Sequence, residues 1–266
     1  IRVVESADDH YTVSVPPYRV DVIQEADVVE EILRIYGVNN IELSDTAKSD
    51  YLAEFPAKNI DRYKRTVGEL LVSNGFYEIW TNSLTNRAYQ QKHKLTFKGD
   101  TIEILNQLSE EQGILRQTML FTGLEVCAYN INRKQKDLRL YEFGKVYGRR
   151  DGKYEESERL ALYISGNTET ENWQRKVQPA GYHDLAQHLY NIFQKTGIKD
   201  IKQQAGDDQL FDYAASLTHD DRELGKAGKV KSAVLKDFGI KQEIFFAELD
   251  TSLLFSRANP KLVIQE

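Results

Sequence analysis

The chain contains a single cysteine, Cys127. No internal disulfide can form, and no cysteine cluster can hold zinc or an iron-sulfur centre. That scarcity suits a reducing compartment, so the expectation is a cytoplasmic protein. No apolar run approaches the roughly 20 residues that a membrane span needs, and the first residues lack the basic and then apolar pattern of a signal peptide. Positive charge is not in excess either: 35 lysines and arginines stand against 41 aspartates and glutamates, for a net charge of -6. No global positive field advertises nucleic-acid binding, and any RNA contact has to be local. The histidines His10, His93, His183, His188 and His219 show no metal-ligand spacing, and His183 and His188, five apart, fall on different helix faces. There is no internal repeat, no low-complexity tract and no nucleophile elbow.

What is present is ordinary globular material: 266 residues, 41% hydrophobic and 29% charged, enough for one large domain or a large and a small one. The chain begins at Ile1 rather than a methionine and stops at Glu266 soon after a strand-like segment, so a piece of something longer is expected. Residues 11–15 (YTVSV) alternate as a half-buried strand does, and Pro16-Pro17 ends that pairing. From Ala26, the residues Val28, Val29, Ile32, Leu33 and Tyr36 recur at helical spacing, with Gly37 where a left-handed cap is usual. Residues 44–58 keep no period and predict a linker.

Beyond the linker, Ile60, Tyr63, Val67, Leu70 and Leu71 predict a helix feeding a strand at 76–80. Further strands are expected at 101–105, 139–147 and 158–165, the last two forming a hairpin with a polar turn over 149–156. Leu120, Leu124, Cys127 and Ile131 predict a helix, and Leu185, Leu189, Ile192 and Phe193 another that closes near Gly197. Two more strands, around 213–217 and 244–249, flank a short helix at 231–238. Hairpin-linked strands interrupted by helices, without strict alternation, give an α+β class: an antiparallel sheet with packed helices, preceded by a small partial α/β domain.

Asp27, Glu30 and Glu31 project from neighbouring points on one helix face, with Asp21 just upstream able to fold toward them. Such crowded like charges repel unless a cation neutralises them, and a hard divalent ion such as magnesium would do so through carboxylate oxygens and retained waters. A solvated face would look the same: acidic residues favour the positive end of a helix dipole, and Arg19 and Arg34 can pair with them. Spacing alone does not choose.

The run from Pro16 to Ile41, PPYRVDVIQEADVVEEILRIYGVNNI, resembles the small domain that precedes the synthetase-like core in the phenylalanyl-tRNA synthetase β subunit of bacteria. Pro16, Arg19, Asp21, Glu25, Asp27, Val29, Glu30, Glu31, Arg34, Tyr36 and Gly37 all match the family pattern. The segments 62–84, 106–120 and 138–147 are similar to the first and following segments of the core, and the resemblance is looser after Gly166. It implies a winged-helix-like small domain over 1–44, a linker over 45–58 and a class II synthetase-like core over 59–266. It also implies a magnesium ion held by Asp21, Asp27, Glu30 and Glu31 and shared with the α subunit. The expected assembly has two α and two β subunits, acts on tRNA(Phe), and has no membrane partner.

The core itself is expected to be silent. A class II site clamps ATP with two arginines because charge builds on the α-phosphate in the transition state. Arg116 sits where the first of these would fall, but the distal half offers no Gly-x-Gly-x-x-Arg, and Gly225 to Lys229 (GKAGK) also suits an ordinary turn and strand. ATP is therefore expected to be used by the assembly and not bound by this chain. The basic clusters Arg62, Lys64, Arg65 and Arg133, Lys134, Lys136, Arg139 suit tRNA phosphates or solvated surface. The alternative function is a nucleic-acid-binding or structural module with no part in aminoacylation, although the acidic helix lacks the basic character of a recognition helix.

Overall fold

The structure, a computed structural model, describes residues 1–42, 58–107, 109–169, 173–174 and 176–259. The chain divides into two compact units, Ile1–Ala57 and Lys58–Glu266. Apart from Lys58, the linker expected at 45–58 lies outside the described residues.

In the first unit β1 (Arg2–Ser6) and β2 (Tyr11–Ser14) form an antiparallel hairpin with an irregularity between Val3 and Glu5. The alternating segment supplies β2, while β1 went unforeseen because RVVES keeps no period of two. Helix α1 (Glu25–Tyr36) stands where apolar spacing puts it. Its end departs from expectation: Gly37 adopts φ 90 and ψ 120, outside the left-handed helical region, and leads into a single tight turn at Val38–Asn40. The Gly37 N–H still donates to Leu33 O at 2.8 Å. Among the described residues of this unit only Val22 is a buried hydrophobic.

The second unit opens with α2 (Ile60–Ser73), whose cap residue Asn59 accepts from the Arg62 N–H at 2.9 Å. Gly75, at φ 82, reverses the chain into buried Phe76 and β3 (Tyr77–Glu78). Then follow β4 (Leu84–Thr85), α3 (Arg87–Lys92), β5 (Ile114–Leu115), α4 (Leu120–Asn132), β6 (Leu138–Arg150), β7 (Lys153–Ser165) and α5 (Tyr182–Thr196). The described chain closes with β8 (Lys202–Gly206), β9 (Phe211–His219), β10 (Arg222–Val230), α6 (Ser232–Asp237), β11 (Ile244–Asp250) and α7 (Thr251–Arg257).

Seven strands form one sheet in the order β3-β6-β7-β11-β10-β9-β8. Every described pairing is antiparallel except β3 with β6, which is parallel, so the expected antiparallel sheet is mixed at one edge. A parallel neighbour needs a crossover, and the segment carrying α3 and α4 provides it. The strand expected at 101–105 reduces to an isolated bridge between Glu103 and Ile114, with Leu105 out in solvent. The hairpin is longer than expected and its turn shorter. Asp151 (φ 50) and Gly152 (φ 77) alone make the reversal, because Arg149 pairs with Tyr154 and Arg150 with Lys153. Two successive positive φ values match the twist of the flanking strands, and an Asp-Gly pair adopts them at little cost.

Helices cover both faces of the sheet. Along β7, Leu160, Leu162 and Ile164 join one core cluster with residues of α2, α5 and α7, while Ala161 and Tyr163 join another with residues of α4 and α6. Strand β11 divides in the same way, with Phe245, Ala247 and Leu249 against Ile244 and Phe246. Burial on two sides explains why these strands read as continuous apolar runs without alternation.

Candidate functional site

The four acidic residues on and just before α1 do not converge: Asp21 and Glu31 meet arginine, Asp27 meets backbone N–H groups, and Glu30 stands apart. Arg19 Nη2 lies 2.8 Å from Asp21 Oδ2 and 2.7 Å from Glu31 Oε1, and Arg34 Nη1 lies 3.0 Å from the same Glu31 oxygen. Hydrogen bonds from Arg19 hold the Asp21 and Glu31 carboxyls below their ordinary range. Asp27 turns back to the helix start, where Oδ2 accepts the N–H of Ile23 at 2.8 Å and of Gln24 at 2.9 Å. Those two backbone donors lower its pKa. Glu30 is exposed, and no ion pair or hydrogen bond engages it among the described residues. No group of three or more histidine, cysteine or carboxylate side chains is arranged to hold a metal ion among the described residues. The donor chemistry suits magnesium, since all four are hard oxygen ligands. The positive charge among them in this structure is Arg19.

In the second unit Arg116 is 2% exposed and Glu142 1% exposed. Arg116 Nη2 reaches Glu142 Oε1 at 3.2 Å, Nη1 reaches Thr81 Oγ1 at 2.5 Å and Thr122 Oγ1 at 3.1 Å, and Nε donates to Lys145 O at 2.8 Å. The Thr81 hydroxyl donates to the other Glu142 oxygen at 2.7 Å. Every face of the guanidinium is occupied by the protein itself. Glu142 was not foreseen; the signal was a lone carboxylate inside the apolar run LRLYEF. Close by, the buried Tyr163 hydroxyl donates to Met119 O at 2.7 Å, and burial pushes that phenol far above its ordinary pKa. Burial also pushes the Cys127 thiol up to about 12, so it stays protonated and unreactive.

A cleft of about 530 Å³ opens between the sheet and the segments 95–98 and 207–211. Asp207, Asp208, Glu223, Glu248 and Asp250 contribute five carboxylates to its lining, against three cations, Lys98, Arg159 and Lys226. Two of the cations are taken: Arg159 Nη1 lies 2.9 Å from Asp250 and Lys226 Nζ 2.8 Å from Asp208. Glu248 accepts from the Thr118 hydroxyl at 2.7 Å and the Met119 N–H at 2.9 Å. A polyphosphate entering here meets net negative charge, which repels it. Arg159, Glu248 and Asp250 were also missed, although each is a charge placed within an apolar strand pattern.

The segment Gly225 to Lys229 lies within β10, not in a phosphate-binding loop. A Cβ on Gly228 would collide with Tyr213 O, and one on Gly225 with Glu248 O, so these glycines permit close strand packing. Of the basic clusters, Lys64 is paired with Glu158 at 2.8 Å, and the Arg139 guanidinium is bonded to Asn74 O and Thr168 O. His188 packs edge-on against Phe76, 4.8 Å between ring centres, and burial lowers its pKa. A second, mostly apolar groove of about 550 Å³ runs between α2 and the sheet, lined by Lys64, Gly68, Val72, Tyr141 and Phe143 among others.

The fold is similar to that of solved aminoacyl-tRNA synthetases. It superposes on the crystal structure of pyrrolysyl-tRNA synthetase from Desulfitobacterium hafniense with a TM-score of 0.56, at 13% identity, over 86% of this chain and 74% of that one. A second structure, of a pyrrolysyl tRNA synthetase of the same organism, gives 0.57 at 14% identity, over 88% and 77%. Residues 43–251 match the phenylalanyl tRNA synthetase beta chain CLM domain and residues 1–38 the tRNA synthetase B5 domain, so the chain belongs to the phenylalanyl-tRNA synthetase β-chain family. The phenylalanine-tRNA ligase beta subunit of Bacteroides fragilis is 33% identical over 262 residues, 94% of this chain and 32% of that protein. Those of Porphyromonas gingivalis and Thermotoga maritima are 33% and 27% identical, each over 97% of this chain and 33% and 32% of their own lengths. The chain thus spans about a third of the length of these relatives.

Proposed function

We propose that this chain is the part of a phenylalanine-tRNA ligase β subunit that carries a small winged-helix-like domain over 1–44, a linker over 45–58 and a class II synthetase-like core over 59–266. The core supports an α subunit in the ATP-dependent attachment of phenylalanine to tRNA(Phe) without performing the chemistry. The full enzyme has two α and two β subunits and works in the cytoplasm, and ATP is bound by α.

The observation that carries this reading is the fate of Arg116. The side chain that would meet an α-phosphate is buried against Glu142, Thr81 and Thr122. The cleft beside it, richer in carboxylates than in cations, supports the same reading. The groove along α2, with Val72, Tyr141 and Phe143 among the charged side chains Lys64, Arg65, Glu69 and Glu78, supports an α subunit docked there, since its apolar part gains by leaving water and its charges can pair with a partner. Asp21, Asp27, Glu30 and Glu31 would hold a magnesium ion shared with α, Arg19 giving way as the ion arrives. When bound, the ion would supply charge neutralisation between subunits.

The test is reconstitution. Full-length β mixed with α charges tRNA with phenylalanine when ATP is supplied, and this 266-residue chain alone exchanges no pyrophosphate with phenylalanine and ATP. Amino-acid activation by the chain alone overturns the silence of the core.

A further inference from the structure

Two loops at one end of the sheet meet in a patch of four cations that no carboxylate pairs among the described residues. One loop follows α4 and carries Arg133, Lys134 and Lys136; the other follows α6 and carries Lys241. They are locked together, because Gln242 Nε2 donates to Lys136 O at 2.7 Å and to Ser165 Oγ at 2.7 Å. The neighbouring carboxylates are engaged elsewhere: Asp137 Oδ1 accepts the Asn167 N–H at 2.7 Å, and Glu243 holds Lys229 at 2.5 Å. Other cations on the same sheet hold acids, as Lys145, Arg159 and Lys226 do. In a chain of net charge -6, four cations on two linked loops, against the charge of Asp137 in the same stretch, leave a local positive patch.

The patch also has an aromatic component. The Arg133 guanidinium lies 3.3 Å from the centre of the Tyr129 ring and covers one of its faces, so a flat cation is ordered on an aromatic side chain that is itself 57% exposed. Cations that follow a backbone beside an aromatic platform suit single-stranded or looped RNA. A membrane surface would require exposed apolar anchors, and the flanking apolar residues Leu138 and Ile240 are buried.

We infer that Arg133, Lys134, Lys136 and Lys241, with Tyr129, form a contact site for the sugar-phosphate backbone of RNA. That the RNA is the transfer RNA of the assembled ligase rests on the function proposed above. The test compares the assembled enzyme with a variant carrying Arg133→Ala, Lys134→Asn and Lys136→Ala. Asparagine suits position 134, where φ is 68. Each lost phosphate contact lowers the slope of log affinity against log salt by about 0.7 to 0.9.

The variant is expected to bind tRNA about 10- to 100-fold more weakly near 0.1 M salt, with the slope reduced by about two to three. The KM for tRNA should rise while kcat holds. Lys195→Ala with Lys199→Ala, which removes two cations at the far end of α5 that hold no carboxylate among the described residues, should change neither quantity. Lys134→Asn with Lys136→Gln, sparing Arg133, gives a smaller loss of the same kind and serves if the triple variant melts early. Unchanged affinity and slope in a variant that still charges tRNA overturn the patch and leave the proposed function standing. An assembled wild-type enzyme that charges no tRNA overturns the function instead. Phosphatidylserine vesicles captured by the wild type and released by the variant, with tRNA binding unaltered, would assign the patch to a membrane and sink the RNA contact.

Discussion

Arg116 and Glu142 show how one residue can change meaning between sequence and structure. Position along the chain suggested that Arg116 faced a nucleotide, whereas its burial at 2% and its five protein acceptors make it part of the core. Removing one member of a buried pair strands the other, at a cost of about 3 to 5 kcal/mol. Arg116→Met or Glu142→Gln alone should therefore lower unfolding stability by about 3 kcal/mol, and the double variant by much less than the sum. Urea denaturation of the three proteins checks this; additive losses would show that the two side chains do not act as a pair. Spacing found the acidic residues on and before α1 but could not find Glu142, Arg159, Glu248 or Asp250, because their partners lie far along the chain and only folding brings them together.

Among elements, the helices were the most legible. Apolar spacing located α2, α4 and α5, each of which buries part of its surface, and also α1, whose apolar residues stay largely exposed. Strand β8 was not legible: KQQAG is exposed throughout at the sheet edge and carries no alternation. Strand β10 was hidden by its glycines, and the outer ends of β6 and β7 by polar residues that pair beyond the core. The segment 101–105 erred the other way, alternating as a strand does but meeting its neighbour at 113–115 in a single bridge that does not extend into a ladder. Helix α1 carries its own prediction, because Arg19 competes with any cation for Asp21 and Glu31. Arg19→Gln should tighten manganese binding to the assembled subunits about tenfold. Glu30→Gln, at a carboxylate with no other engagement among the described residues, should weaken it while leaving helix content unchanged. Calorimetry with manganese reads both, and equal affinities in all three proteins would remove the metal from α1.

The molecule as a whole distributes its core unevenly. Two clusters on opposite faces of the seven-stranded sheet supply the apolar burial of the second unit, while the described part of the first buries Val22 and leaves Ile23 and Ile35 85% and 90% exposed. Segments of about 40 residues with so little core do not hold a fold without help. Residues 1–42 alone should give a disordered circular dichroism spectrum, whereas 58–259 should melt cooperatively; a sharp thermal transition in the short piece would contradict this.

The ion pairs of the cleft bear on the fold as well as on what the cleft can bind. Arg159 faces Asp250 across β7 and β11 in direct register, and Asp250 also caps α7 through the Leu253 N–H at 2.9 Å. The charges that turn a polyphosphate away therefore also join strands and start a helix. Freeing Arg116 and Arg159 to meet a nucleotide would cost the fold stability before any ligand could compensate. The silence proposed for this core is tied to the stability of the fold itself.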